Sequence, residues 1–284
     1  MAIILDGKAL AERIRSKIKM RVSHLSPVPG LAVLLVGDDP ASHTYVNIKQ
    51  KACEEVGIYF EKFLYDKAVS EEILLQKIIE LNHRKEINGI LVQLPLPSQN
   101  ADTIITAIDP KKDVDGFHPD NLNALKKGQP AIVSAVALGV MRLISLATKQ
   151  TLTPKTAVVI SSTLFGEPLI PLLREQSIDG MIVNETDEDL VEKTKQADVI
   201  IIALGKPGFL TGEMIKSGAI VIDIGTTKID DTLYGDVDVS TVESIAGALS
   251  PVPGGVGPMT VAMLLSNVLK AYQLQSAWQE NHPE

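Results

Sequence analysis

Short apolar runs punctuate the chain at Leu31–Val36, Gly89–Leu94, Ala157–Ile160, Gly180–Val183, Asp198–Leu204 and Ala219–Ile224. They are continuous rather than alternating, which suits strands buried on both faces of a parallel sheet. Between them, apolar residues recur at helical spacing over Ser42–Val56, Ser70–His83, Gly166–Gln176, Asp187–Gln196 and Thr211–Ser217. This alternation predicts an α/β fold. A polar turn at Lys126–Pro130, a helical segment at Ala135–Ala147 and a polar stretch at Thr148–Lys155 place a domain boundary within residues 125–155. From Ala157 the strand–helix rhythm restarts. A Gly/Pro-rich loop then leads into a last helix, Thr260–Tyr272, which could return to the first domain.

Composition narrows the classes. A chain of 284 residues fits about two domains. Lys+Arg 27 against Asp+Glu 35 leaves a net charge of −8, with no basic excess to hold a nucleic-acid backbone. Hydrophobic content of 45% with 22% charged residues describes a folded chain rather than a disordered one. Met1–Asp6 lacks the basic segment of a secretion signal, and no apolar run reaches the roughly 18 residues of a membrane span. The single cysteine, Cys53, excludes an intrachain disulfide and a multi-cysteine metal site. The five histidines (His24, His43, His83, His118, His282) show no ligand spacing, so no metal is expected. A cytoplasmic protein that binds neither membrane nor nucleic acid is the expectation.

Five stretches could carry chemistry. Asp39-Pro40-Ala-Ser42 supplies turn and N-cap residues for a helix that starts where a parallel strand ends, the side on which ligands sit in open α/β sheets. On it Tyr45 and Lys49, four apart, share one face. A lysine held among apolar neighbours loses solvation and becomes able to move protons near neutral pH; otherwise it snorkels to water beside a half-buried tyrosine. Gln93, inside Gly89-Ile-Leu-Val-Gln-Leu-Pro-Leu-Pro97, must find hydrogen-bond partners, either in the same crevice as Lys49 or on nearby loop backbone. In Lys112-Asp-Val-Asp-Gly-Phe-His118, one carboxylate suits a paired N–H/NH2 donor on a heterocycle. There Asp113 is alternatively a turn residue, and His118 is expected on a surface loop unless it lines the pocket. Pro251–Thr260 is locally rigid and poor in side chains, so its backbone can approach a flat ligand closely. The turn Ile160–Pro168 stands where a dinucleotide phosphate would meet a helix N-terminus, although it lacks the G-x-G-x-x-G pattern.

Taken together, these stretches resemble the bifunctional methylenetetrahydrofolate dehydrogenase/methenyltetrahydrofolate cyclohydrolase family over essentially the whole chain. The resemblance rests on Ile4–Lys8, Gly37–Ser42 with Tyr45 and Lys49, Lys51–Ile58, GILVQLPLP at 89–97 and KDVDGFHP at 112–119. It continues through Gly205–Phe209, Gly218–Gly225, Gly235–Asp238 and PVPGGVGPMTVAML at 251–264. It implies an N-terminal α/β catalytic domain, residues 1–139, closed by a returning helix, 260–284. A Rossmann-like dinucleotide-binding domain with a parallel sheet would occupy 140–259. It also implies one-carbon tetrahydrofolate derivatives as substrates, NADP or NAD as cofactor and a homodimer.

The resemblance makes Lys49 the central catalytic residue. Tyr45 would shape the pterin pocket, Gln93 would tune Lys49, and Asp115 would anchor the pterin. Val92, Leu94, Pro95, Gly257, Pro258 and Thr260 would contact the substrate. Ile160, Ser161, Ser162, Gly166, Glu185, Gly225 and Thr226 would contact the cofactor. The chain departs from the family pattern on the cofactor side. Ser134–Gly139 replaces Pro-Cys-Thr-Pro-x-Gly, Ile160 stands for a phosphate-turn glycine, Asn184–Glu188 is acidic where a basic residue is common, and Gly225-Thr-Thr227 replaces Gly-Ile-Asn. If Glu185 reaches the ribose, it suits an unphosphorylated 2′-hydroxyl. A cyclohydrolase without hydride transfer and a folate-binding paralogue with little turnover are the alternatives.

Overall fold

The computed structural model describes residues 1–149, 153–230 and 232–281, the side chains of 277–281 excepted. His282, the middle of the polar stretch at 148–155 and the end of the expected helix 260–284 therefore lie outside the described residues.

The chain forms two compact units. One comprises Met1–Ala11 and Val136–Thr260, and the other Glu12–Ala135 with the residues from Val261 onward. The first eleven residues thus group with the later unit rather than with the N-terminal domain of the sequence-based expectation. The reason is strand pairing: Ile3–Ile4 lies parallel to Ala248–Leu249.

The first unit is built on a six-stranded sheet in the order Ile3–Ile4, Ala248–Leu249, Ile220–Asp223, Val199–Ala203, Thr156–Ser161, Asp179–Val183. Every pairing in it is parallel. Val158, Ile160, Ile200, Ile202 and Val221 fill one core cluster with Leu190, Leu210 and Val242. The second unit holds a three-stranded parallel sheet with Gly30–Val36 between Tyr59–Tyr65 and Gly89–Val92. All seven residues of the central strand are buried, each large aliphatic one contributing about 1.5–3 kcal/mol of transfer free energy. Helices Pro40–Val56 and Glu71–His83 connect these strands, as crossovers between parallel neighbours must.

Some expected elements take a different form. Gly166–Gln176 divides into Thr163–Gly166 and Leu169–Glu175, because Pro168 between them has no N–H to continue a ladder. Thr211–Ser217 shrinks to one turn of 3₁₀ helix, Gly212–Met214. Gly212 packs so tightly there that a Cβ would sit 2.5 Å from the Thr241 carbonyl oxygen. Asp187–Gln196 is helical only from Leu190. Unforeseen elements are the helix Gly7–Val22, the strand Tyr59–Tyr65, the short helices Ala101–Thr106 and Pro119–Lys126, and an antiparallel hairpin, Thr227–Ile229 with Thr232–Tyr234.

Candidate active site

The helix Pro40–Val56 leaves the central strand of the three-stranded sheet through Gly37, whose φ of +82° turns the chain back. Asp39 caps it by accepting the Ser42 N–H at 2.8 Å, and Pro40 occupies a first-turn position where no backbone donor is needed. Its buried stripe runs Ser42, Val46, Lys49, Ala52, Cys53, Val56. Lys49 is only 8% exposed, so it does not snorkel. Its Nζ donates to Gln93 Oε1 at 2.9 Å, and Gln93 Nε2 donates to the Leu94 carbonyl at 2.8 Å, which fixes which end of the amide faces the lysine. Tyr45 stands one turn earlier, half-buried.

Burial pulls the Lys49 ammonium below its usual pKa, while Asp115 and Cys53 partly oppose this. Burial likewise raises the Asp115 carboxyl, with Lys49 pulling the other way. Both shifts favour the uncharged forms, so a proton is exchanged here at less cost than between solvated groups. Cys53, pushed up to about 12 by burial, stays a thiol and offers no nucleophile.

The loop that presents Asp115 is organised by its neighbours. Asp113, 2% exposed, accepts from the Gly116 and His118 N–H groups (3.1 and 2.8 Å) and from Asn121 Nδ2 (3.2 Å), and so is the turn residue. Gly116 has φ +79°, and a Cβ there would lie 2.4 Å from the Ser134 nitrogen. Lys112 Nζ donates to the carbonyls of Leu81 and Arg84 (3.0 and 2.8 Å), tying the loop to the end of helix Glu71–His83. Asn267 Nδ2 donates to the Val114 and Val133 carbonyls at 2.9 and 2.8 Å. The expectation for His118 is corrected: it is buried, accepts the Asp120 N–H on Nδ1 and places Nε2 3.2 Å from the Thr106 carbonyl, a helix cap rather than a surface or pocket residue. Lys112, Asn121 and Asn267 were not singled out from sequence. Asn267, polar within an apolar helix, was the detectable one.

Of the residues expected at the substrate, Gln93, Leu94 and Pro95 come directly after the strand Gly89–Val92, with Leu94 half-buried and Pro95 exposed. The Val92 side chain belongs to the core with Leu34 and Ile90, leaving its backbone for any contact. Gly257, Pro258 and Thr260 lie in the other unit, in the first turns of helix Val256–Asn281, where the Thr260 hydroxyl donates to the Val256 carbonyl at 3.1 Å.

In the six-stranded unit, the loops after Thr156–Ser161, Asp179–Val183 and Val199–Ala203 emerge from three adjacent parallel strands. Ile160 is fully buried in the core. It therefore does not obstruct the turn, which is made by Ser161 and Ser162. Gly166 performs the close helix-to-strand packing expected of a dinucleotide turn: a Cβ would sit 2.9 Å from both Ile182 and Ser161 Oγ. Glu185 Oε2 lies out of water without a hydrogen bond in good geometry, although Lys206 Nζ is 2.6 Å away. The Glu185 side chain is 26% exposed, which leaves its other oxygen, Oε1, to accept a hydrogen bond from a hydroxyl. These features fit an adenosine ribose and its phosphates.

Gly225 and Thr226 adjoin a pair of interlocked carboxylates absent from the sequence-based expectations. Asp223 accepts from the N–H groups of Gly225, Asp236 and Val237 (2.9, 3.1 and 3.0 Å). Asp236 accepts from those of Leu204, Gly205 and Lys206 (2.6, 3.1 and 2.6 Å). Among the described residues, no group of three or more His, Cys, Asp and Glu side chains is placed to hold a metal ion, and no helix is long and apolar enough to cross a membrane.

Comparison with known proteins agrees with this arrangement. Residues 5–115 match the catalytic domain of tetrahydrofolate dehydrogenase/cyclohydrolase, and residues 134–276 match its NAD(P)-binding domain. The chain is 45% identical over 276 residues to the bifunctional protein FolD of Dechloromonas aromatica, covering 95% of this chain and 97% of that one. It is 46% identical to the FolD protein of Bordetella avium over the same coverage. Among solved structures, the bifunctional FolD enzyme of Campylobacter jejuni superimposes with a TM-score of 0.91 at 38% identity, covering 97% of this chain and all of that one. The Trypanosoma brucei enzyme, solved with NADP cofactor and an inhibitor, gives 0.91 at 32% identity, covering 97% and 98%. This chain belongs to the tetrahydrofolate dehydrogenase/cyclohydrolase family.

Proposed function

We propose that this protein carries out two consecutive steps of one-carbon folate metabolism. It oxidises 5,10-methylenetetrahydrofolate to 5,10-methenyltetrahydrofolate with NAD(P), then hydrolyses that product to 10-formyltetrahydrofolate. The unit that carries Lys49 binds the folate, and the unit with the six-stranded sheet binds the dinucleotide. The observation that carries the reading is the buried Lys49, held by Gln93 at 2.9 Å and within electrostatic reach of Asp115. The nicotinamide, when bound, supplies the acceptor for the hydride.

The protein's own groups do the rest. Asp115 accepts the paired N–H donors of the pterin, and Tyr45 covers the ring from the same helix face as Lys49. The backbone of Val92 and the side chains of Leu94 and Pro95 contact the substrate. The methenyl group is cationic, so its arrival adds to burial in keeping Lys49 uncharged. Water then attacks the methenyl carbon, forming a C–O bond while one water proton passes to Lys49 Nζ. As the carbonyl forms, the carbon–N5 bond breaks, N5 keeps the electron pair and takes the proton from Lys49 Nζ, and the proton of the carbinol oxygen is released to solvent. Gln93 holds Nζ in place throughout. Acid–base assistance of this kind contributes on the order of 10²–10⁴ in rate.

Ser161, Ser162 and Gly166 form the phosphate turn, Glu185 faces the ribose, and Gly225 and Thr226 flank the cofactor. The protein acts in the cytoplasm as a homodimer through the six-stranded unit, a reading supported by the exposed Met181 on the edge strand Asp179–Val183 and by Ile229, Leu233 and Tyr234 on the hairpin. A light-scattering mass close to twice 30.6 kDa is expected. The function is tested by two absorbance assays on the purified protein: decay of methenyltetrahydrofolate, and formation of reduced nicotinamide from methylenetetrahydrofolate. Both should exceed the uncatalysed rates. Methenyl decay alone would leave a cyclohydrolase, and neither would leave a folate-binding protein.

A further inference from the structure

We propose that Glu185 and Lys206 form a coenzyme-selecting pair, in which Glu185 receives the adenosine ribose hydroxyl and withholds Lys206 from a 2′-phosphate, so that the chain selects NAD over NADP. The inference rests on the dinucleotide-binding reading above and specifies it. Its basis is topology first. Thr156–Ser161 lies between Asp179–Val183 and Val199–Ala203, all parallel, with Ile160 in register with Val183 and Ile202. The loops after the two flanking strands carry Glu185 and Lys206, and they bracket the Ser161–Ser162 turn. An acidic side chain just past the second strand of such a unit is placed to take a ribose hydroxyl, while a free cation there accommodates a 2′-phosphate.

Here both kinds of group are present, and they engage each other: Lys206 Nζ is 2.6 Å from Glu185 Oε2. Glu185, 26% exposed, keeps its other oxygen for a hydroxyl donor, whereas Lys206 has its charge compensated. The rest of the loop deepens the bias. Residues 185–189 carry four carboxylates, Glu185, Asp187, Glu188 and Asp189. Lys193, on the helix that follows, is engaged with Asp189 at 2.7 Å and Asp187 at 3.8 Å. A 2′-phosphate would bring further negative charge to a loop already in anionic excess.

Lys206 is also firmly placed. Asp236, fully buried, accepts its backbone N–H and those of Leu204 and Gly205, and the Asp236 N–H is itself held by Asp223. Asp236 is thereby a positioning residue for the pair.

Calorimetric titration of the full-length protein tests the proposal, with NAD, NADP, adenosine 5′-monophosphate and adenosine 2′,5′-bisphosphate as probes. The wild type should bind NAD at least tenfold more tightly than NADP, and the monophosphate more tightly than the bisphosphate. Glu185→Gln should weaken the monophosphate and strengthen the bisphosphate, moving their ratio at least tenfold, and added salt should erode that gain. Adding Lys206→Gln to Glu185→Gln should abolish it. An NADP preference in the wild type, or a ratio unmoved by Glu185→Gln, would overturn the pair while leaving dinucleotide binding intact. Failure to bind either dinucleotide would overturn both readings.

Discussion

Two sets of buried charges, one in each unit, differ in what their hydrogen bonds leave over. In the six-stranded unit, Asp223 and Asp236 each accept three backbone N–H groups. In the three-stranded unit, among the described residues, Asp115 accepts no side-chain hydrogen bond and Lys49 donates only to Gln93. The same contrast recurs at short range within one loop. Asp113 has three donors and Lys112 two carbonyl acceptors, two residues and three residues from the uncommitted Asp115. Burial alone therefore does not mark a reactive group. Capacity left unfilled marks it, because a saturated carboxylate or ammonium has nothing left to offer a ligand.

This contrast can be broken by substitution. The largest expected effect is on turnover: Lys49→Ala should lower methenyl hydrolysis by about 10²-fold or more while folate binding stays measurable and the melting temperature changes little. Full turnover by that variant would remove Lys49 from the mechanism. Next, truncating a saturated carboxylate should act on stability. Asp236→Ala leaves three part-buried N–H donors without their buried acceptor and should cost on the order of 1–3 kcal/mol in denaturant unfolding, and Asp113→Ala should behave similarly. Asp115→Asn should instead leave unfolding nearly unchanged and weaken folate binding. Were Asp115→Asn the destabilising change and Asp236→Ala the silent one, the distinction between committed and uncommitted charges would collapse.

The smallest effect is a pH dependence. Burial and the neighbouring Asp236 raise the Asp223 carboxyl to about 6, against the opposing pull of its three N–H donors. The folded state thus binds this proton more tightly than the unfolded chain. The stabilisation from protonating Asp223 is complete below its unfolded value near 3.8 and is lost as the pH rises through about 6. Unfolding free energies measured from pH 4 to 7 should show this component, at most about 1.4 kcal/mol per pH unit, in the wild type and not in Asp223→Asn. Identical slopes for the two proteins would place the titration elsewhere.

Legibility in the sequence obeys the same logic of context. Strands buried on both faces, such as Gly30–Val36 and Val199–Ala203, are legible because burial removes polar positions altogether. Tyr59–Tyr65 was not, since as an edge strand it is partly exposed along its whole length, most of all at Tyr59 and Leu64. Helix Gly7–Val22 was hidden by its lysines and arginines, even though Asp6 caps it through the Ala9 N–H. At the site, Tyr45 and Lys49 could be placed on one helix face by spacing. The Lys49–Gln93 bond joins residues 44 apart, and the roles of Asp223 and Asp236 depend on backbone donors brought in from as far as 32 residues away. No local pattern records where a folded chain will present its N–H groups.

The route of the chain through its units has a bearing on biosynthesis. Neither unit is a single stretch of sequence: one needs residues 1–11 together with 136–260, and the other needs 12–135 together with the residues from Val261 onward. The amide of Asn267 is part of what fastens the Asp115 loop. A nascent chain leaving the ribosome in order therefore holds Lys49 long before it holds Asn267. Residues 12–135 by themselves thus lack the side chain that fastens the Asp115 loop, and a chain interrupted before Asn267 would leave that loop untied.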